Sequence, residues 1–261
     1  MSTKIIDLSV SIENGLPSDP PGMIPEIEYM SHEAGALQMA TFFNGLKKEQ
    51  LPEGKGWATE NIKLTTHSGT HLDAPFHYHH KMDNGTPALT IDQIPLEWCY
   101  NDGVLLDFTG KQDGVKITQS DIEEKLLKIK YKIKPFDIVL IHTGMDKYWG
   151  RPEYLKKGTG MTKEGTLFLL KQGVKITGID AWSWDRPFCF IQEEYEKSNN
   201  PSVIWEAHFA GIEKGYCHIE KMANFSKIGR PYGFKICCFP IKIKDASAAW
   251  VRPVAIIEEL N

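Results

Sequence analysis

No stretch of this sequence stays apolar long enough to span a bilayer, which takes about 20 residues, so no membrane-spanning segment is expected. Neither sign of charge dominates. Thirty Lys and Arg stand against 34 Asp and Glu, a net charge of −4. That balance offers no electrostatic footprint for nucleic acid or an anionic membrane surface, and neither is expected as a partner. The densest basic run, Lys125 to Lys134, alternates with Leu, Ile and Tyr, as the solvated face of a helix does.

Cysteine is scarce and odd in number: five, at positions 99, 189, 217, 237 and 238. The spacing suits neither a disulfide framework nor a Cys-type zinc site. Reduced core thiols are the expectation, and Cys237-Cys238 lies in an apolar run, Phe234 to Ile243, that reads as buried strand. Met1-Ser2-Thr3-Lys4 leads straight into Ile5-Ile6-Asp7-Leu8 without the apolar core of a secretory leader, so a cytoplasmic location is expected. Repeats, low-complexity tracts and linkers are also missing, and residues 1–261 are read as a single domain.

What is present is an ordinary globular composition, 41% hydrophobic and 25% charged. Residues 13–26 are rich in Gly and Pro and read as an ordered loop or arm. Val104–Phe108 is a short apolar strand, and Thr118 or Ser120 caps a helix to about Lys130 with Ile122, Leu126 and Ile129 on one stripe. Asp137–Ile141 reads as a buried strand. Thr162 then caps a helix that stops at Gly173, and Val174–Ile179 is the next strand. A last helix is expected over about Ser202 to Lys214, with strands near 233–243 and 251–257. This alternation implies an α/β class, mixed β with helices, and a partly parallel sheet.

One segment stands apart. Three of the nine histidines, and one carboxylate, fall within His67-Ser68-Gly69-Thr70-His71-Leu72-Asp73-Ala74-Pro75-Phe76-His77. Imidazoles and a carboxylate converging on one point make a divalent-metal site with room for water. Gly69 permits a tight turn between His67 and His71. Asp73 follows His71 by two residues, so on an extended backbone they share a face. A straight strand would carry His77 roughly 20 Å from His71 at about 3.3 Å per residue, so a bend after Pro75 is needed to bring it back.

The run resembles the signature of the cyclase-type metal-dependent hydrolases, the family of bacterial kynurenine formamidase and isatin hydrolase. That motif reads His-x-Gly-Thr-His-x-Asp-x-Pro-x-His, and residues 67–77 match every specified position. Ile5-Ile6-Asp7-Leu8-Ser9 resembles the family's opening strand, and Val139–Gly144 its central strand. Gly178-Ile179-Asp180-Ala181, followed by Pro187, resembles the stretch before its late histidine. His208-Phe209-Ala210-Gly211-Ile212 with Ile219-Glu220-Lys221-Met222-Ala223-Asn224 resembles its helical His and the Glu twelve residues later.

The resemblance implies a single-domain swivelling β/β/α cyclase-like fold. It implies that His67, His71 and Asp73 hold a first metal. His77, His208 and Glu220 would hold a second one bridged by Asp73, or else surround the reacting water. The cofactor expected is Zn²⁺ or Mn²⁺, one or two per chain. The implied reaction is hydrolysis of a small aromatic amide or lactam, with His77 or Glu220 as acid–base group. Trp182 and Trp184 are candidates for an aromatic wall, and Arg186 for a substrate carboxylate. Phe42 and Phe43 are candidates for closing a neighbouring subunit's pocket, so a homodimer or higher oligomer is expected. His79 and His80 are expected to be solvated or to support the ligands from behind, and His142 and His218 to lie outside the ligand set.

Two other classes are compatible with part of the pattern. His71-x-Asp73 with a distant His208 is also the two-His, one-carboxylate set of non-haem iron oxygenases, but it leaves His67, His77 and Glu220 unused, and the expected helices do not suit that scaffold's all-β barrel. A non-catalytic metal-binding protein is the third class.

Overall fold

The apolar run Ile138–Ile141 is covered on both sides, and that explains why it lacks polar alternation. Ile138 and Leu140 enter one buried cluster with Ile6, Leu72, Ile219, Ile236 and Ile257. Val139 and Ile141 enter a second, with Val104, Leu106, Ile122, Leu169 and Trp184. Burying one such aliphatic side chain contributes about 1.5–3 kcal/mol.

The computed structural model describes residues 2–259. Nine strands form the main sheet: β1 Ser2–Asp7, β2 His71–Asp73, β3 Tyr100–Asp107, β4 Ile138–His142, β5 Ile176–Ile179, β6 Cys217–Glu220, β7 Phe234–Cys237, β8 Ala248–Trp250 and β9 Val254–Glu259. Their spatial order is β1-β9-β7-β3-β4-β5-β6-β2-β8. The central ladders β3/β4, β4/β5 and β5/β6 are parallel, and the flanking ladders are antiparallel. The partly parallel sheet expected from the β-α-β-α-β order is therefore present.

Among the described residues six helices accompany the sheet: α1 His32–Phe42, α2 Pro75–Tyr78, α3 Gln119–Ile129, α4 Lys163–Lys171, α5 Phe188–Ser198 and α6 Ala210–Glu213. Thr118 caps α3 in a reciprocal pair with Asp121, and Thr162 Oγ1 accepts from the N–H of Gly165 at the start of α4. α3 and α4 lay Ile122, Leu126, Leu169 and Leu170 on the second cluster. Among the described residues no helix is long and apolar enough to cross a membrane.

The structure departs from expectation at four points. The helix anticipated over 202–214 is only a 3-10 turn at Pro201–Val203 and the single turn α6. Trp205 adopts a left-handed φ of 56°, and the Asp185 carboxylate takes the N–H groups of Ala207 and His208 that a continuous helix would use internally. Helix α5, after Pro187, was not anticipated. The strand expected to run on through Cys238 ends at Cys237, and Cys189 is an exposed thiol rather than a core one.

A projection made of the antiparallel pair Glu26–Met30/Thr59–Lys63 and helix α1 carries little burial. Only Gly35 and Ala36 of α1 are buried, while Tyr29, Leu37, Phe42, Phe43 and Ile62 are all more than half exposed.

Candidate metal centre

Strand pairing creates the site. β2 and β6 are antiparallel neighbours, with Asp73 opposite His218 and His71 opposite Glu220. Side chains two apart share a face of a strand, and directly paired residues share a face of the sheet. His-x-Asp on one strand therefore confronts His-x-Glu on the next. The intervening Leu72 and Ile219 go to the other face, into the first apolar cluster.

Loops on either side of β2 add two more imidazoles. Before it, Gly69 at φ +65° makes the turn that carries His67 back, and Ser68 Oγ fixes that turn by donating to the Met23 carbonyl. After it, Pro75 starts the helical turn α2 and returns His77 to within 3.7 Å of Asp73 Oδ2. This is the bend that the spacing required. His208 arrives from the segment before α6.

Around Asp73 the distances are short. His67 Nδ1 is 3.0 Å and His71 Nε2 3.2 Å from Oδ1, while His218 Nε2 is 3.1 Å from Oδ2. Glu220 Oε1 lies 3.4 Å from His208 Nε2 and 3.2 Å from His218 Nε2, and its Oε2 is 3.6 Å from His71 Nε2. Two sets of potential ligands, sharing Asp73, result: Asp73, His208, His218 and Glu220, all buried, and His67, Asp73 and His77, nearer solvent.

These groups fit a cation better than they fit one another. The Nδ1 of His71 contacts the Gly69 carbonyl at 2.9 Å, and that of His208 contacts Asp185 Oδ2 at 2.5 Å. Both partners can only accept, so each Nδ1 bears the proton and, in the neutral ring, each Nε2 turns a lone pair toward carboxylate oxygens. His71 Nε2 and both Asp73 oxygens are sealed from solvent with no hydrogen-bond partner. Unpaired buried acceptors facing one another are costly unless a positive charge lies between them.

The electrostatics agree. Burial alone would push the Asp73 carboxyl up, yet the imidazoles around it, His77 and His71 foremost with His218 and His67 beside them, hold it well below the usual range. Glu220 is likewise raised by burial but held well below its usual value by His208 and His218. Burial and the neighbouring His67 and His208 lower His77 to about 4, against the pull of Asp73. Burial opposes charge on His208, but Asp185 and Glu220 raise it to about 9, so without a metal this ring itself supplies positive charge to Glu220, and a metal bound there would displace its Nε2 proton.

The structure groups the ligands differently from the resemblance. His77 lies with His67, their rings 4.1 Å apart, and His218, expected outside the set, stands with His208 and Glu220. Its spacing to Glu220 repeats that of His71 to Asp73, a signal available in the sequence. Asp185, which orients His208, and Trp205, stacked on the His208 ring at 4.2 Å, were also missed.

The anticipated substrate contacts are dispersed. Trp184 is wholly buried, stacks on His218 and donates from Nε1 to Thr166, so it belongs to the core. Trp182 is half-buried against Phe188. Arg186 is committed elsewhere: its guanidinium meets the Glu194 carboxylate and the Gly114 carbonyl. Phe42 packs edge-on to Trp57, and it and Phe43 are exposed. His79 is half-buried and His80 exposed, while His142 sits beside Asp180 rather than the Asp73 cluster.

With this geometry in place, comparison with known proteins is informative. Residues 6–186 match the model of the Cyclase family, described as "Putative cyclase", and the chain belongs to that family. It is 28% identical over 206 residues to the uncharacterized protein MJ0783 of Methanocaldococcus jannaschii, covering 77% of this chain and 84% of that one. Among solved structures it is similar to isatin hydrolase A from Labrenzia aggregata, with a TM-score of 0.75, 22% identity and 98% and 94% of the two chains covered. Isatin hydrolase A from Ralstonia solanacearum gives 0.76, 19%, and coverage of 98% and 92%. At these identities the likeness establishes a shared fold.

Proposed function

We propose that this protein is a metal-dependent hydrolase that cleaves the C–N bond of a small aromatic amide or lactam. The observation that carries the reading is the convergence of imidazole nitrogens on two buried carboxylates, with His71 Nε2 and both Asp73 oxygens unpartnered. Zn²⁺ or Mn²⁺ suits nitrogen and carboxylate donors, and His67, His71, Asp73, His77, His208 and Glu220 would hold one or two such ions. Bound there, such an ion polarises a carbonyl and lowers the pKa of water to near neutrality.

The chain supplies the rest. Asp185 keeps the Nδ1 proton of His208 in place, so that Nε2 stays oriented toward Glu220. His77 is half-buried, at the solvent side of the cluster, and its lowered pKa leaves it neutral near pH 7, a state that accepts a proton and then passes it to a departing nitrogen. Trp205 borders both His77 and an apolar cavity of about 540 Å³ lined also by Phe188, Ile191, Tyr195, Ile204 and Phe209. That cavity suits a planar apolar group next to the reacting carbonyl.

The isatin hydrolases of the same fold support the lactam class. The mixed sheet with flanking helices is unlike the all-β barrel usual for the two-His, one-carboxylate iron oxygenases. Residues 26–63, with their exposed apolar side chains, support a homodimer in which Phe42 and Phe43 are covered by the partner. The deciding experiment is metal analysis of purified protein followed by a hydrolase panel containing N-formylkynurenine and isatin. Stoichiometric metal with turnover of a panel amide is expected. Full activity without metal would overturn the reading, and metal without any hydrolysis would favour a binding protein.

A further inference from the structure

We propose that His218 is itself a metal ligand, completing an inner cation site of four protein donors with Asp73, His208 and Glu220. The inference rests on the metal-dependent reading above only in requiring that a cation bind.

Two tyrosine hydroxyls border the His218 ring. Tyr78 Oη donates to the Asp73 carbonyl at 3.4 Å, and Tyr216 Oη donates to the Ala207 carbonyl at 3.0 Å. The same two oxygens lie 3.0 and 3.4 Å from His218 Nδ1. Tyr216, its proton committed to Ala207, can only accept from that nitrogen, and Tyr78 accepts from it as well when it donates to the Asp73 carbonyl. Nδ1 therefore bears the proton, a tautomer assigned from the hydrogen-bond network. In the neutral ring Nε2 then carries a lone pair, and it faces Asp73 Oδ2 at 3.1 Å and Glu220 Oε1 at 3.2 Å. Three electron-rich atoms meet where no water reaches, since His218 and Asp73 are wholly buried. A cation among them turns this repulsion into coordination.

The ring has no freedom to turn away. It is held between Tyr78, nearly parallel at 5.1 Å, and Trp184, nearly parallel at 5.7 Å. Glu220 is steadied in turn by the Trp184 N–H, which donates to Oε1 at 2.8 Å.

The consequence is an unequal pair of half-sites. The inner one has the four protein donors that fill a closed, tetrahedral site. The outer one, His67, Asp73 and His77, has partly exposed imidazoles and keeps space for an exchangeable ligand. Substrate and exchangeable cation would therefore engage on the His67/His77 side.

The test is metal binding to the full-length protein, read by elemental analysis in zinc-buffered solutions and by the visible spectrum of the cobalt(II) form. Wild type should show a tight ion that resists dialysis against a weak chelator. In His218→Gln the affinity for that ion should fall by more than about 100-fold, beyond the range for residues that only support a ligand, and the cobalt spectrum should change. Folding of the variant is checked by circular dichroism of the metal-free form. If it does not fold, Tyr78→Phe serves instead, removing one acceptor that holds the Nδ1 proton, and the tight ion should again be weakened. A folded variant with unchanged tight affinity and an unaltered cobalt spectrum would overturn the role of His218 while leaving the hydrolase reading intact. Wild type that binds no metal at all would overturn both.

Discussion

Asp73 is the side chain on which most of the site depends, because four imidazoles lie within 3.7 Å of its two oxygens. Asp73→Ala should lose metal and hydrolysis together, which elemental analysis and a turnover assay on one preparation would establish. His77 makes a sharper test of role. His77→Asn should lower kcat by about 10²–10⁴-fold, the usual contribution of acid–base catalysis, while retaining the inner ion. Loss of the outer ion in that variant would show that His77 acts there through ligation rather than proton transfer. Asp185→Asn should weaken metal binding by about 10–100-fold through loss of the carboxylate behind His208, measurable by competition with a chromophoric chelator. His67, His71 and Asp73 were legible because a dense local motif needs no tertiary knowledge. Asp185 was not, since it meets His208 across 23 residues and carries no local signature.

The strands and capped helices in the middle of the chain were legible from period and punctuation. Ile138–Ile141 lacked polar alternation because both faces are covered, and Thr118 and Thr162 sit where the caps were expected. The segment 202–214 has helical composition yet forms little helix, because Asp185 competes for its backbone and Trp205 takes a left-handed conformation. Gly69 illustrates the turn before β2. A Cβ there would lie 2.9 Å from Ile12 Cγ1, and the φ of +65° is unfavourable for other residues. Gly69→Ala should cost about 1–2 kcal/mol in denaturant unfolding and loosen His67 enough to weaken metal binding.

A site that draws on β2, β6, two flanking turns and the His208 segment should tie metal binding to global stability. At a free metal concentration about 100 times Kd, binding contributes about 2.7 kcal/mol. Chelation should therefore lower the unfolding midpoint by roughly 5–10 °C for a chain of this size, as scanning calorimetry would record. The exposed projection over residues 26–63 predicts association: light scattering should give at least a dimer at micromolar concentration, and Phe42→Asp should shift it toward monomer. An active wild-type monomer under those conditions would refute shared closure of the site.

The sequence by itself determined the alternation of strands and helices, the turn at Gly69, the bend after Pro75 and the local set His67, His71, Asp73 and His77, because each depends on neighbours a few residues away. Only the tertiary structure decided that β6 lies against β2 with His218 opposite Asp73, that Asp185 stands behind His208, and that Arg186 is tied to Glu194. Those choices join residues far apart in the chain. They are made by the order of strands in the sheet and by the pairing of buried polar groups, which no local period encodes.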